Sequence, residues 1–202
     1  MNVYNTYAKC ADRREGTCLV YRLKETDGLF SSQLVQIIEV GFAKAAGLWR
    51  SETVEDIRPY GNFAVDTDSG MLYAFTMRDE TRRTRFFSFR LPSPDAGLPD
   101  AMPGVRRVCL TQSDLCAQFD VPYMHFMQGA CLHKGTLYSV EGFTSDRDNP
   151  PALRIISLSR QEQTDFVLFS DHGFEIEAEM IDFSGDVCVY SDYAGNVFQI
   201  EF

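Results

Sequence analysis

The sequence predicts an all-β protein, a β-propeller built of four-stranded antiparallel blades. Three observations point there: many short apolar runs separated by Gly, Asp and Ser turns, an internal repeat, and strands that are apolar on both faces. Composition agrees. The chain has 202 residues, 45% of them hydrophobic and 24% charged, with 16 Phe and 9 Tyr against one Trp. Aromatic side chains of that abundance suit pleated, half-buried surfaces.

Taken in order, the expected strands are Val3–Ala8, Cys18–Leu23, Leu34–Val40, Phe63–Asp66, Leu72–Met77, Arg85–Leu91, Arg107–Leu110, Ala130–Leu132, Leu137–Glu141, Leu153–Leu158, Asp165–Phe169, Met180–Phe183, Val187–Ser191 and Val197–Phe202. Helical periodicity is poor. Phe42–Arg50 and Gln112–Phe119 are the two stretches that read as a turn or two of helix.

Three segments superimpose: N-F-A-V-D-T-D-S-G-M-L-Y from Asn62, Q-G-A-C-L-H-K-G-T-L-Y from Gln128, and E-M-I-D-F-S-G-D-V-C-V from Glu179. Each is a polar residue, an apolar strand, a tight Gly-containing turn and a second apolar strand. Outer strands follow as F-F-S-F-R-L, A-L-R-I-I-S-L and N-V-F-Q-I-E-F. A partial fourth copy opens the chain with N-V-Y-N, T-C-L-V-Y-R-L and L-V-Q-I-I-E-V. The second strands reach Tyr4, Tyr73, Tyr138 and Val189, at intervals of 69, 65 and 51 residues. Runs such as V-Q-I-I-E-V and L-R-I-I-S-L are apolar on both faces, as sheets covered on both sides require.

The expected organisation is one propeller-like domain over residues 1–202, with blades at 1–57 (partial), 58–124, 125–174 and 175–202. About three and a half blades are visible. The chain opens on a second strand, so the reading is of an incomplete, N-terminally truncated ring or an unusual closure.

Charge and cysteines narrow the function classes. A net charge of −10 argues against nucleic-acid binding, which needs clustered Lys and Arg. The one basic run, Arg82, Arg83 and Arg85 near Arg78, is interleaved with Asp79 and Glu80 and reads as a solvated hairpin. Cys10, Cys18, Cys109, Cys116, Cys131 and Cys188 contain no C-x-x-C pair, so free thiols are expected; Cys10 and Cys18 can face each other across a hairpin. No run approaches the ~18 apolar residues of a membrane helix. The first residues lack a basic segment followed by an apolar one, so they do not read as a signal peptide, and the compartment stays open.

The repeat exposes one polar constellation. Asn62, Gln128 and Glu179 share a register at the entrance to the innermost strand of three blades. In a closed propeller such positions line one mouth of the central channel. Three oxygen-bearing side chains can hydrogen-bond a polar ligand or coordinate Ca²⁺. Glu177, His125 and Arg58, a few residues upstream, would form the rim. A hydrolase would need a metal on that ring and a general base, for which Asp66 and Asp182 are available.

Other motifs are absent or weak. His125, His133 and His172 are dispersed, two of them reading as turn or loop residues, and His133, in the hairpin H-K-G-T, is expected to be exposed. There is no G-x-S-x-G elbow and no phosphate loop. D-T-D-S-G at Asp66–Gly70 reads as a polar hairpin rather than an EF-hand, since the downstream Glu is missing. T-S-D-R-D-N-P-P, Thr144–Pro151, reads as a long polar loop.

The segments N-V-Y-N, R-P-Y-G-N-F-A-V-D-T-D, L-Y-A-F-T-M-R-D, T-R-F-F-S-F, Q-G-A-C-L-H-K-G-T-L-Y-S-V-E-G-F, P-P-A-L-R-I-I-S-L and E-A-E-M-I-D-F resemble an uncharacterised family of gut-bacterial β-propeller-like proteins. The resemblance implies the propeller fold in a bacterial protein and carries no established activity. More loosely, the pattern is similar to the six-bladed NHL and calcium-dependent lactonase propellers. The expected function is therefore binding of a small molecule or protein partner at the channel mouth, with a calcium-dependent lactonase-like hydrolase as the alternative.

Overall fold

A computed structural model describes residues 2–6, 17–40, 42–43, 56–57, 63–76, 83–122, 127–174 and 176–201. The chain is all-β and of the β-propeller class, its blades being small antiparallel sheets. It forms two compact units, one of Met1–Thr76 with Phe86–Gln118, the other of Met77–Arg85 with Phe119–Phe202.

The strands are β1 (Asn2–Thr6), β2 (Thr17–Thr26), β3 (Leu29–Val40), β4 (Phe42–Ala43), β5 (Asp56–Ile57), β6 (Phe63–Asp66), β7 (Met71–Thr76), β8 (Arg83–Arg90), β9 (Leu98–Pro99), β10 (Arg106–Leu110), β11 (Leu115–Pro122), β12 (Met127–His133), β13 (Thr136–Glu141), β14 (Ala152–Ser157), β15 (Glu162–Leu168), β16 (Ala178–Ser184), β17 (Val187–Asp192) and β18 (Val197–Ile200). Every expected strand has a counterpart, with ends moved by a few residues.

The first sheet is ordered β1-β2-β3-β10-β9 and departs from a pure antiparallel blade. β10 pairs with β3 in parallel, Arg106 opposite Gln36 and Leu110 opposite Val40. The L-V-Q-I-I-E-V strand is thus interior to its sheet, not the outer edge the repeat predicts. The loop before β10 is fastened by Gln36, which is fully buried and donates its amide nitrogen to the carbonyls of Ser93 and Ala96 at 2.7 and 3.0 Å. Asp27 and Gly28 both take positive φ in the two-residue turn joining β2 to β3, the twist a tight hairpin needs.

The second sheet is ordered β11-β8-β7-β6. Gln112–Phe119, expected to turn as helix, is instead one short 3-10 turn at Gln112–Asp114 followed by β11. Leu115, Ala117, Phe119 and Val121 alternate with more polar residues, and that period of two suits an edge strand. Of Phe42–Arg50, Phe42–Ala43 is strand; the rest lies outside the described residues. Cys18, Ile38, Leu72, Phe87 and Phe89 form the core of this unit, with Phe75 stacked on Phe86 at 4.5 Å.

In the second unit the sheets β12-β13-β14-β15 and β16-β17-β18 share one core of Val140, Leu153, Phe169, Ile181, Cys188 and Tyr190. β13 and β14, interior to the first of these sheets, are largely covered on both faces, which explains why their sequences do not alternate cleanly.

Candidate functional site

The innermost strands β12 and β16 carry the described part of the polar constellation, and both break their ladder at the same place. On β12 the pairing with β13 slips between Met127 and Gly129, leaving Gln128 as the extra residue. On β16 the pairing with β17 slips between Ala178 and Met180, leaving Glu179. The two hairpins match from their turns, with His133 opposite Thr136 and Ser184 opposite Val187. Gln128 and Glu179 therefore occupy one register, five residues before equivalent closing pairs. A bulge leaves its extra residue outside the ladder and re-aims the side chain.

Gln128 donates its amide nitrogen to Glu177 Oε1 at 3.3 Å. Glu177, immediately before β16, receives the backbone N–H and the hydroxyl of Thr144 on Oε2, at 3.1 and 3.4 Å. Three chain segments thus converge on one carboxylate. Glu177 is half-buried and Glu179 is exposed. Asn62, His125 and Arg58 lie outside the described residues.

The environment is acidic. Beyond Arg160 the chain carries ten Asp and Glu residues and no Lys or Arg. Asp186, in the β16–β17 turn, is held below the ordinary carboxylate range by Lys134, which reaches it from the β12–β13 turn. His133 is not the exposed turn residue expected: it is half-buried, stacked on Phe183 at 4.1 Å, with Nε2 3.4 Å from Asp186. His172 is exposed in a 3-10 turn.

No protein-family model matches the chain, and no curated protein matches it.

Could the described residues hold a cation? Both oxygens of Glu177 already accept hydrogen bonds, and the amide of Gln128 turns its donor to that carboxylate. Among the described residues no three His, Cys, Asp or Glu side chains converge as a metal cluster. Asp66 accepts the backbone N–H groups of Asp68 and Ser69, capping its own polar hairpin, and Asp182, exposed, accepts the N–H of Phe183. Gln128 and Glu177 as placed are engaged with each other and with Thr144, an arrangement unlike a calcium cage of six to eight oxygens.

Two neighbours of the site lacked any linear signal. Glu141, opposite Met127 at the bulge, is buried and holds Arg154 through two bonds of 2.7 and 2.9 Å. Asp192, opposite Ala178 at the matching place, is buried and accepts Asn196 and the N–H of Ala194. Their equivalence follows from the repeat, but their burial depends on packing. The described cysteines are free thiols; burial pushes Cys18 and Cys131 up to about 12 and Cys188 to about 11, which makes them poor nucleophiles.

Proposed function

We propose that the protein is a non-catalytic binding propeller that takes a polar ligand, or a side chain of a protein partner, at the entrances of its inner strands. Gln128 Oε1 and Glu179 supply the acceptor oxygens, and Glu177 holds Gln128 in place. The observation that carries this reading is the pair of matched bulges, which lift Gln128 and Glu179 out of their ladders beside a positioned carboxylate. Structural economy alone does not call for two equivalent bulges bearing polar side chains. With no Lys or Arg after Arg160, the preferred ligand is cationic or rich in hydroxyl donors. Asn62, His125 and Arg58 extend the same reading to the neighbouring repeat, and membership of the gut-bacterial propeller-like family is part of the proposal.

The test is a thermal-shift titration with spermidine and, separately, with Ca²⁺, on the native chain and on Glu177→Gln and Glu179→Gln. Saturable stabilisation by spermidine that falls at least tenfold in apparent affinity in either variant supports the reading. No response to spermidine overturns the acidic site. A saturable response to Ca²⁺ alone, lost in Glu179→Gln, replaces it with the calcium-dependent hydrolase, to be checked by lactone hydrolysis.

A further inference from the structure

The loop between β13 and β14 is closed on itself. The N–H of Phe143 donates to the carbonyl of Asn149 at 3.1 Å, so its two ends meet. Gly142 leads into it with φ of 84°, and a Cβ there would collide with the carbonyl oxygens of Asn149 and Pro150. Inside the loop, Asp146 accepts the N–H groups of Asp148 and Asn149 and the side-chain amide of Asn149. Its own N–H donates to the carbonyl of Phe143 at 3.1 Å. Residues 143–149 therefore form a preorganised body rather than a slack connection.

That body meets the candidate site through Thr144. The N–H and the hydroxyl of Thr144 both donate to Glu177 Oε2, at 3.1 and 3.4 Å, while Gln128 donates to Oε1 at 3.3 Å. All three of these partners are donors. A carboxylate satisfies them on its two oxygens, which an amide in its place could not do. The arrangement also fixes which way Gln128 faces. With its nitrogen committed to Glu177, its Oε1 is the atom left to meet a ligand.

We propose that Thr144 is a positioning residue and the 143–149 loop a latch: through Glu177 it holds Gln128 in its ligand-reading orientation, so that loop closure and ligand binding favour each other. This regulation rests on the binding function proposed above. When the loop opens, Glu177 loses both donors on Oε2 and is free to turn, and the Gln128 amide can then turn over and present its NH₂ where its oxygen stood. In the other direction, donors of a bound ligand on Gln128 Oε1 polarise the amide and strengthen its bond to Glu177. A ligand that prefers the closed arrangement shifts the loop toward it by that difference in affinity, and no more.

The test is limited trypsin digestion of the full chain, with each cleavage site read by mass spectrometry. Arg147 is exposed within the loop, and a loop closed on itself must open before a protease can engage it in extended form, so cleavage after Arg147 reports the open population. Arg160, exposed in the turn between β14 and β15, is the control. Without ligand, Glu177→Ala should speed cleavage after Arg147 at least tenfold and Thr144→Val at least threefold, with the rate after Arg160 unchanged. Thr144→Ser keeps both donors and should restore the native rate. If Glu177→Ala fails to fold, Thr144→Val, at an exposed position, carries the same test. Unchanged cleavage after Arg147 in the variants overturns the proposal, and so does equal acceleration at both arginines, which would mean that the whole sheet has loosened.

Spermidine should slow cleavage after Arg147 in the native chain without slowing it after Arg160. Thr144→Val should bind spermidine at least threefold more weakly, although Thr144 acts through Glu177. Spermidine that stabilises the chain in thermal shift yet leaves cleavage after Arg147 unchanged overturns the linkage. No thermal response to spermidine is instead the failure of the binding reading and of the linkage with it, and the ligand-free rates decide the latch separately.

Discussion

Gly129 on β12 lies so close to Glu179 on β16 that a Cβ at position 129 would stand 2.8 Å from the Glu179 carbonyl oxygen and 2.9 Å from Met180 Cα. The two innermost strands of this unit therefore touch backbone to backbone beside both bulges. Glycine is required here for space: its φ is not among the positive ones, so conformation does not demand it.

Gly129→Ala should force the strands apart. Overpacking of this kind costs about 1–3 kcal/mol, which chemical denaturation would report as a lower midpoint with an unchanged slope. Because Gln128 and Glu179 flank the contact, the variant should also weaken spermidine binding. An unchanged midpoint would show that the strands are not in close contact.

The Glu141–Arg154 pair is buried on both sides, with the guanidinium 4.6 Å from the Phe166 ring and also bonded to Gln163. Glu141→Gln strands a buried cation and should cost about 3–5 kcal/mol. The double replacement Glu141→Leu with Arg154→Met should recover most of that loss, since a buried pair gains little over apolar packing of similar volume. A double variant no more stable than the single one would mean that the pair contributes more than its desolvation costs.

Asp192 titrates below the ordinary carboxylate range because Asn196 donates to it through its side chain and backbone, joined by backbone N–H groups of the same turn. A carboxylate whose folded value is depressed stabilises the fold above its unfolded value, near 4, and that contribution is lost as pH falls through the folded value. The melting temperature should therefore decline below about pH 4. Asp192→Asn should lower it at pH 7 and flatten the decline. Parallel pH profiles for the two proteins would rule out this role.

The legible parts of this molecule are its local ones. Strand positions follow from short β-branched and aromatic runs, and the register of Gln128 with Glu179 follows from counting back from two hairpin turns. β11 was misread as helix: Leu115, Ala117, Phe119 and Val121 alternate as a strand does, but the 3-10 turn at Gln112–Asp114 precedes them and obscures the period of two. The exposed state expected of His133 failed because its partner, Phe183, belongs to another hairpin 50 residues on.

By itself the sequence determined the blade-like hairpins, their repeat and the matched polar positions, because turns and strand periodicity are set by neighbours along the chain. Only the tertiary structure decided that β10 runs parallel to β3, that Glu177 accepts from Gln128, and that Glu141 is buried against Arg154. Each of those depends on which distant strands share a ladder or a core, and the free energy that selects among such pairings comes from burial that no single segment can achieve alone.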